Sequence, residues 1–241
     1  RQVEVVGLVD VRERTARTIA ERFAIPNVAA DLDELAEESG FDAVLVCLGM
    51  TPAKTNLTTA QANALVSYLN AGGNAYLEGG DCWAQTSVAS VYRSWFGVGA
   101  YGSGASLTGS LLGVAGEPTE GMAFSYDGEY ASSDHLSPAF GAQLLLTSGG
   151  QGKLLAYSTG TYSAVASSFQ FSGLMDGAAP TTRRYLAALL LDQLGLDVDL
   201  ATGRPVLPRR FGGYSGPAIL PIALAKVDEI VQIYDYRPPE S

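Results

Sequence analysis

The sequence predicts an α/β protein built on a mostly parallel β-sheet flanked by helices, and residues 41–81 carry this prediction. Apolar runs at residues 43–48 and 74–77 each have the length of a buried strand. Between them, apolar residues at helical spacing predict a helix over residues 57–70, which Gly72 and Gly73 end. Strand, helix and strand in this order form a βαβ unit, and such units build parallel sheets covered by helices.

Length and composition limit the classes of protein and of partner. The 241 residues suffice for one large domain or two small ones, and the apolar fraction of 47% is typical of a globular core. The net charge of −10, from 15 basic and 25 acidic residues, argues against a nucleic-acid partner. No apolar run is long enough to span a bilayer, so we expect a soluble chain without a membrane partner.

The sequence does not predict a cellular compartment. No signal-peptide pattern follows Arg1, so we expect that any export signal has been removed or never existed. Residues 47–196 carry only 9 acidic and 5 basic residues and are rich in small polar residues, which is typical of an exported bacterial domain. Cys47 and Cys82 are expected to be buried thiols, with a disulfide between them as the alternative.

The elements on either side of the central unit follow the same pattern. Residues 3–10 form a short apolar strand ending in Asp10, and residues 12–23 form a helix with apolar positions on one face. A second short helix is expected from Asp31. The remaining elements predicted before residue 197 are a helix at 83–96, a glycine-rich loop at 97–116, strands at 110–114, 122–126, 143–147, 153–158 and 164–171, and a helix at 180–194.

The last two predicted strands are joined by Thr159-Gly160-Thr161, which predicts an antiparallel hairpin over residues 154–171. Tyrosines that we expect to be exposed are candidates for a carbohydrate or protein contact surface. They include Tyr101, Tyr126 and Tyr130.

The first segment resembles part of the Gfo/Idh/MocA family of NAD-dependent oxidoreductases. The residues that carry the resemblance are Val6-Gly7-Leu8-Val9-Asp10, the run ERTARTIAERFAIPNV, Asp31-Leu32-Asp33-Glu34-Leu35 and Phe41-Asp42-Ala43-Val44. The resemblance implies a Rossmann fold in which Asp10 would contact the adenosine ribose of NAD. The family's first strand and glycine-rich phosphate loop would precede residue 1, and its catalytic lysine motif is missing.

Residues 41–196 resemble a domain of secreted bacterial proteins related to class I glutamine amidotransferases, which have a flavodoxin-like fold. The carrying segments include Val46-Cys47-Leu48-Gly49, the run LTTAQANALVSYLNAGGNAYLEGGDCWA, Thr119-Glu120-Gly121-Met122, Ser133-Asp134-His135 and the run SFQFSGLMDG at 168–177. Catalytic relatives place a cysteine directly after the strand that matches residues 74–77, whereas this chain has Glu78-Gly79-Gly80 there.

Cys82 and the only histidine, His135, are the candidate catalytic residues. We expect Cys82 at the start of a helix, where the helix dipole lowers a thiol pKa, and a cysteine with a histidine meets the minimum for thiol catalysis. The alternative is that both residues are structural. No spacing of His, Cys and Asp resembles a ligand set, so no metal is expected.

Residues 197–235 resemble flavin-containing dihydroorotate dehydrogenases. The carrying motif is Gly212-Gly213-Tyr214-Ser215-Gly216-Pro217-Ala218, followed by Pro221-Ile222-Ala223-Leu224. The resemblance implies that this loop would help hold FMN, which makes Gly212, Gly213, Ser215 and Gly216 candidate cofactor residues. The alternative is a plain loop followed by a helix over residues 217–234.

Three consecutive pieces therefore resemble unrelated parents, and none retains a complete parental site. We expect one Rossmann/flavodoxin-like α/β domain over residues 1–196, with its hairpin, and a loop–helix extension over residues 197–241. The hypothesis is a mosaic chain that acts as a non-catalytic structural or interaction domain without a cofactor. The alternative is an oxidoreductase-like protein that binds NAD(P) or FMN.

Overall fold

A computed structural model describes residues 4–10, 13–29, 41–52, 54–84, 87–104, 106–107, 109–129, 131–196, 198–199, 204–205 and 210–215. Its main feature is a curled, mixed sheet of 11 strands in the order β12-β7-β6-β9-β10-β11-β4-β3-β15-β1-β2. The pairs β5–β8 and β13–β14 form separate two-stranded sheets. No helix among the described residues is long and apolar enough to cross a membrane.

The strands are β1 Glu4–Asp10, β2 Asn27–Ala29, β3 Ala43–Cys47, β4 Asn74–Glu78, β5 Val98–Gly102, β6 Leu111–Gly113, β7 Ala123–Tyr126, β8 His135–Pro138, β9 Gln143–Ser148, β10 Gln151–Ser158, β11 Ser163–Ser167, β12 Leu174–Met175, β13 Val198–Asp199, β14 Arg204–Pro205 and β15 Arg210–Ser215. The helices are α1 Glu13–Phe23, α2 Thr59–Asn70, α3 Ala89–Tyr92 and α4 Arg183–Gln193, with 3₁₀ turns at Arg93–Phe96 and Phe171–Gly173.

The predicted βαβ unit is present, with β3 and β4 paired in parallel and α2 between them. Thr58 caps α2: its hydroxyl accepts from the Gln61 amide, and the Gln61 side chain accepts from the Thr58 amide. Beyond the helix, Gly72 adopts φ +94, a conformation that glycine tolerates without steric cost. The local signals at both ends of the helix therefore agree with its bounds.

The sheet has two halves that differ in strand direction. From β2 to β11 all pairings are parallel, through β1, β15, β3 and β4. Side chains at alternate positions of β3, β4 and β11 pack into two buried clusters, one containing α2 residues and the other α4 residues. A third buried cluster joins Leu8 of β1 to α1. The parallel half is therefore covered on both faces.

The prediction of a mostly parallel, Rossmann/flavodoxin-like sheet flanked by helices was wrong. The sheet is mixed and curled, and helices are few among the described residues. The pairings from β11 through β10, β9, β6 and β7 to β12 are all antiparallel. Short turns cause this difference. Gly149 and Gly150, at φ +57 and +77, join β9 to β10 in a two-residue hairpin, which only antiparallel neighbours can use.

The hairpin expected over residues 154–171 is present as β10 and β11, but it belongs to this larger antiparallel half. The predicted helix at 83–96 is much shorter, because only α3 and the following 3₁₀ turn are helical. Part of the predicted glycine-rich loop is β5, which pairs with β8. The second helix expected from Asp31 lies outside the described residues.

The predicted C-terminal loop also differs from the structure. Residues Arg210–Ser215 form β15, which lies between β1 and β3 and pairs in parallel with both. Part of the expected extension is therefore a central strand of the main sheet. The helix predicted for residues 217–234 lies outside the described residues.

Candidate functional site

The carboxyl ends of the parallel strands bring five polar residues to one edge of the sheet. In register across neighbouring strands, these residues are Asp10, Ser215, Cys47, Glu78 and Ser167. Ligands of sheets with parallel strands bind beyond this edge, where the loops that follow the strands meet. This edge, with the loops after β4 and β11, is therefore the candidate functional site.

Glu78 is the buried carboxylate of this edge, with no exposed side-chain surface. Its Oε2 atom accepts a hydrogen bond from the Tyr76 hydroxyl at 2.6 Å and another from the Phe171 amide at 3.0 Å. Burial, and next the charge of Glu78, raise the pKa of Tyr76 well above its ordinary value. Tyr76 therefore remains a protonated donor, and Glu78 ties the strand end to the 3₁₀ turn after β11.

The loop after β4 folds back on itself around Cys82. The Cys82 thiol is buried and donates to the Gly79 carbonyl at 3.3 Å. Burial, and next the Asp134 carboxylate, raise the pKa of this thiol well above its ordinary value. The expectation of a lowered pKa at a helix start was wrong, because Cys82 lies in a turn and α3 begins only at Ala89.

Asp134 holds the next two residues of this loop. Its Oδ2 atom accepts from the backbone amides of Trp83 and Ala84, both at 2.9 Å, and its side chain is completely buried. Burial raises the pKa of Asp134, while the two amide donors act in the opposite direction. The carboxylate thus serves as a local anchor for backbone amides.

Lys153 of β10 is a buried cation that contacts the backbone at Asp134. Its Nζ atom donates to the carbonyl oxygens of Ser133 at 2.9 Å and Asp134 at 3.0 Å. Burial lowers its pKa to about 8, and the Asp134 carboxylate opposes that shift. At neutral pH the Lys153 amine is therefore mostly protonated, and this ammonium is bound to backbone carbonyls.

His135 begins β8, and its ring lies against Gly102 of β5. A Cβ atom on Gly102 would lie 2.1 Å from His135 Nε2, so the missing side chain makes room for the ring. The Nδ1 atom of this ring is buried and has no hydrogen-bond partner in the described part of the chain. Within those residues no hydrogen bond joins His135 to Cys82, whose thiol donates to Gly79 instead. The structure thus does not join the predicted pair.

The candidate cofactor residues fall partly on β1 and β15. Asp10 and Ser215 are Cα partners at the carboxyl edge, while Gly212 and Gly213 lie within the strand and pair with β3. The glycines are therefore part of a sheet ladder rather than the expected loop. Gly216 lies outside the described residues.

Three further expectations concern cysteines, metals and exposed tyrosines. Cys47 and Cys82 are buried thiols without a disulfide, as predicted. Among the described residues, no group of three or more His, Cys, Asp or Glu side chains could hold a metal ion.

Tyr101 is exposed and lies 3.6 Å from the Arg93 guanidinium, whereas Tyr126 is half-buried and donates to the Glu129 carbonyl. Tyr130 is not among the described residues.

Sequence reasoning did not select Glu78, Asp134 or Lys153 as site residues. For Glu78 the signal was present, because an acid that ends a buried strand is the same pattern that selected Asp10. Lys153 begins an apolar run and is the one base between Arg93 and Arg183 in the sequence. Asp134 carries no comparable local signal, since its two amide partners lie about 50 residues away.

Comparison with known proteins supports only the C-terminal resemblance. No protein-family model matches the chain. Short matches to the catalytic subunit of dihydroorotate dehydrogenase B (NAD(+)) include Bacillus cytotoxicus, 50% identical over 42 residues, and Bacillus mycoides, 54% identical over 39 residues. These matches cover 17% and 16% of this chain and only 14% and 13% of the relatives. The Gfo/Idh/MocA and amidotransferase resemblances are not supported.

Two solved structures are similar to a larger part of the chain. A cold-adapted beta-galactosidase from Rahnella sp. R3 matches 82% of this chain and 32% of its own, at 16% identity and a TM-score of 0.45. The mmIFT52 N-terminal domain matches 78% of this chain and 100% of its own, at 15% identity and a TM-score of 0.47. Both TM-scores are below 0.5, so neither structure defines a shared fold.

Proposed function

We propose that this chain is a non-catalytic structural or interaction domain of mosaic origin. The proposal rests on one observation: buried charged groups at and near the carboxyl edge form hydrogen bonds within the chain itself. Glu78, Asp134 and Lys153 are buried, and their hydrogen bonds run to neighbouring loops of the same chain. Such contacts lock loops together, whereas a catalytic group must reach a substrate.

Cys82 and Lys153 are potential nucleophiles near this edge, and their chemistry supports the same proposal. The raised thiol pKa of Cys82 disfavours the thiolate, which is the reactive form. The ammonium of Lys153 is occupied by two backbone carbonyls, and its side chain is 2% exposed. Neither residue combines access with activation, the two properties that nucleophilic catalysis requires.

A second candidate function is binding of NAD or FMN. It is favoured by the position of Asp10 beside Ser215, at the edge where parallel strands present ligand-binding loops. The curated relatives of the C-terminal segment carry NAD(+) in their name. The matched segment is a small fraction of those enzymes, so we rank this function second.

A thermal-shift screen of the full chain with FMN, FAD, NAD, NADP and a blank tests both candidates. Our proposal predicts one cooperative melt whose midpoint is the same in every sample. A rise of several degrees with one cofactor contradicts it, because a ligand that binds only the folded state stabilises it by mass action.

A positive cofactor shift would then be localised with variants. Asp10→Ala and Ser215→Ala would abolish the shift if the cofactor lies at the carboxyl edge. Asp192→Ala, which removes an exposed carboxylate from α4, is the matched control and would leave the shift unchanged.

A further inference from the structure

Three partly exposed aromatic side chains form a continuous surface cluster, here called the aromatic platform. Trp95 and Tyr162 have ring centroids 5.5 Å apart at an interplanar angle of 34°, and Tyr157 meets Tyr162 edge-on at 6.1 Å. Burial, and next the neighbouring Tyr157, raise the pKa of Tyr162 to about 12. The three rings therefore support one another, and the Tyr162 hydroxyl stays protonated at neutral pH.

A fourth aromatic residue lies on the turn next to the platform. The Ala139 amide donates to the Gly97 carbonyl at 2.9 Å, and a Cβ on Gly97 would lie 2.5 Å from Ala142 Cβ and 2.9 Å from Tyr157 Cγ. The turn at residues 139–142 thus packs against the platform. Phe140 on this turn is 69% exposed and adopts φ +57, a conformation that costs a non-glycine residue about 1 kcal/mol or more.

The two sequence stretches that carry the platform are polar but uncharged. The β10–β11 turn carries the hydroxyls of Ser158, Thr159, Thr161 and Ser163, and Ser163 Oγ donates to Ser158 Oγ at 3.1 Å. The sequence contains no charged residue between Arg93 and Glu117, nor between Lys153 and Asp176. The whole chain has a net charge of −10, so these two neutral stretches differ from the rest of its sequence.

We propose that the aromatic platform binds a neutral polysaccharide, an inference that rests on the proposed function as an interaction domain. Sugar rings present C–H groups that stack on the electron-rich faces of aromatic rings. Their hydroxyl groups exchange hydrogen bonds with serine and threonine hydroxyls at the rim. An anionic polymer would need lysine or arginine side chains here, and both sequence stretches lack them. The guanidinium of the flanking Arg93 lies over the Tyr101 ring and donates to the Trp83 carbonyl instead.

Binding of the full chain to insoluble cellulose, chitin, xylan and starch tests this inference, with polygalacturonate as the anionic comparison. At least one neutral polymer is expected to retain the chain and the anionic polymer is not. Trp95→Ala and Tyr162→Ala are each expected to weaken retention about tenfold or more, since stacking on a large ring contributes at that scale.

Two control variants separate loss of the platform from loss of the fold. Tyr162→Phe keeps the ring and is expected to retain most of the affinity. Leu112→Ala removes a side chain that is 46% exposed on β6, outside the platform, and is expected to bind like the wild type. The melting temperature of each variant is measured alongside, so that an unfolded variant is recognised.

Retention by none of the four neutral polymers overturns the inference, and so does retention that Trp95→Ala and Tyr162→Ala leave unchanged. A dimer in size-exclusion chromatography that Trp95→Ala dissociates also overturns it, because the platform would then bind a second copy of the chain. These outcomes leave the interaction domain intact. A cofactor shift in the thermal screen would instead contradict the proposed function itself.

Discussion

The Tyr76 hydroxyl donates to the Glu78 carboxylate at 2.6 Å, from two positions earlier on the same face of β4. The same carboxylate oxygen accepts from the Phe171 amide, so one buried side chain joins the strand end to the turn after β11. Asp134 shows the same pattern, because its carboxylate binds backbone amides of the loop after β4.

Tyr76→Phe is expected to lower the free energy of unfolding by about 1–3 kcal/mol, because it removes a donor from a buried carboxylate. Urea denaturation followed by circular dichroism measures this change. Tyr68→Phe is the control: its half-buried hydroxyl donates to the Phe41 carbonyl, and its loss is expected to cost about 0.5–1.5 kcal/mol. If Tyr76→Phe lowers the free energy of unfolding no more than Tyr68→Phe does, the buried contact with Glu78 is not the more important of the two.

Lys153 is expected to make stability depend on pH in the alkaline range. Its folded-state pKa is about 8 against an ordinary value of 10.5, so the unfolded chain binds more protons between these values. We therefore expect the free energy of unfolding of the wild type, relative to that of Lys153→Met, to rise with pH across this window by no more than about 3 kcal/mol. At pH values below the window this difference should be constant.

Urea titrations of both proteins from neutral pH to about pH 10.5 measure this difference. Subtraction removes the contribution of tyrosines, whose unfolded-state ionisation near pH 10 is common to both proteins. A difference that is flat or that falls with pH would show that the ammonium is not buried in the folded state.

Both cysteines are expected to resist alkylation in the folded chain. The thiols are buried, and the pKa of Cys82 is raised, so iodoacetamide at pH 8 should label them at least about 100-fold more slowly than in urea. Mass spectrometry of the labelled peptides distinguishes the two sites, and Cys82→Ser and Cys47→Ser serve as assignment controls. Rapid labelling of Cys82 in the folded chain would restore it as a candidate nucleophile.

Gly104→Ala is expected to destabilise the fold by more than about 3 kcal/mol, because overpacking against backbone cannot relax easily. A Cβ atom at this position would lie 1.3 Å from the Ser133 carbonyl oxygen. Gly177→Ala is the matched control, since its added Cβ would meet only Thr181 atoms, the nearest at 3.3 Å. Equal melting temperatures for the two variants would contradict the close approach of the segments around Gly104 and Ser133.

The sequence was most informative where an element depends on neighbouring residues. The helix Thr59–Asn70 and its two flanking strands were predicted with nearly their observed bounds, since apolar spacing and a glycine stop are both local signals. The β10–β11 hairpin was predicted for the same reason, because a short glycine turn dictates antiparallel pairing. The same logic applied to Gly149-Gly150 would have revealed the antiparallel half.

The candidate site was harder to predict, because its contacts join distant parts of the chain. Asp134 meets Trp83, and Phe171 meets Glu78, across separations of 51 and 93 residues. Cys82 and His135 were selected for their chemical type and for an expected helix start at Cys82, and the structure shows the thiol bound to its own loop.

The sequence by itself therefore determined the βαβ unit, the β10–β11 hairpin, the buried state of the cysteines and the uncharged character of two long stretches. Only the tertiary structure decided strand order and direction, including the position of Arg210–Ser215 between β1 and β3. The physical reason is that backbone hydrogen bonds in a sheet carry no residue identity, so partners far apart in sequence are selected by packing and chain connectivity.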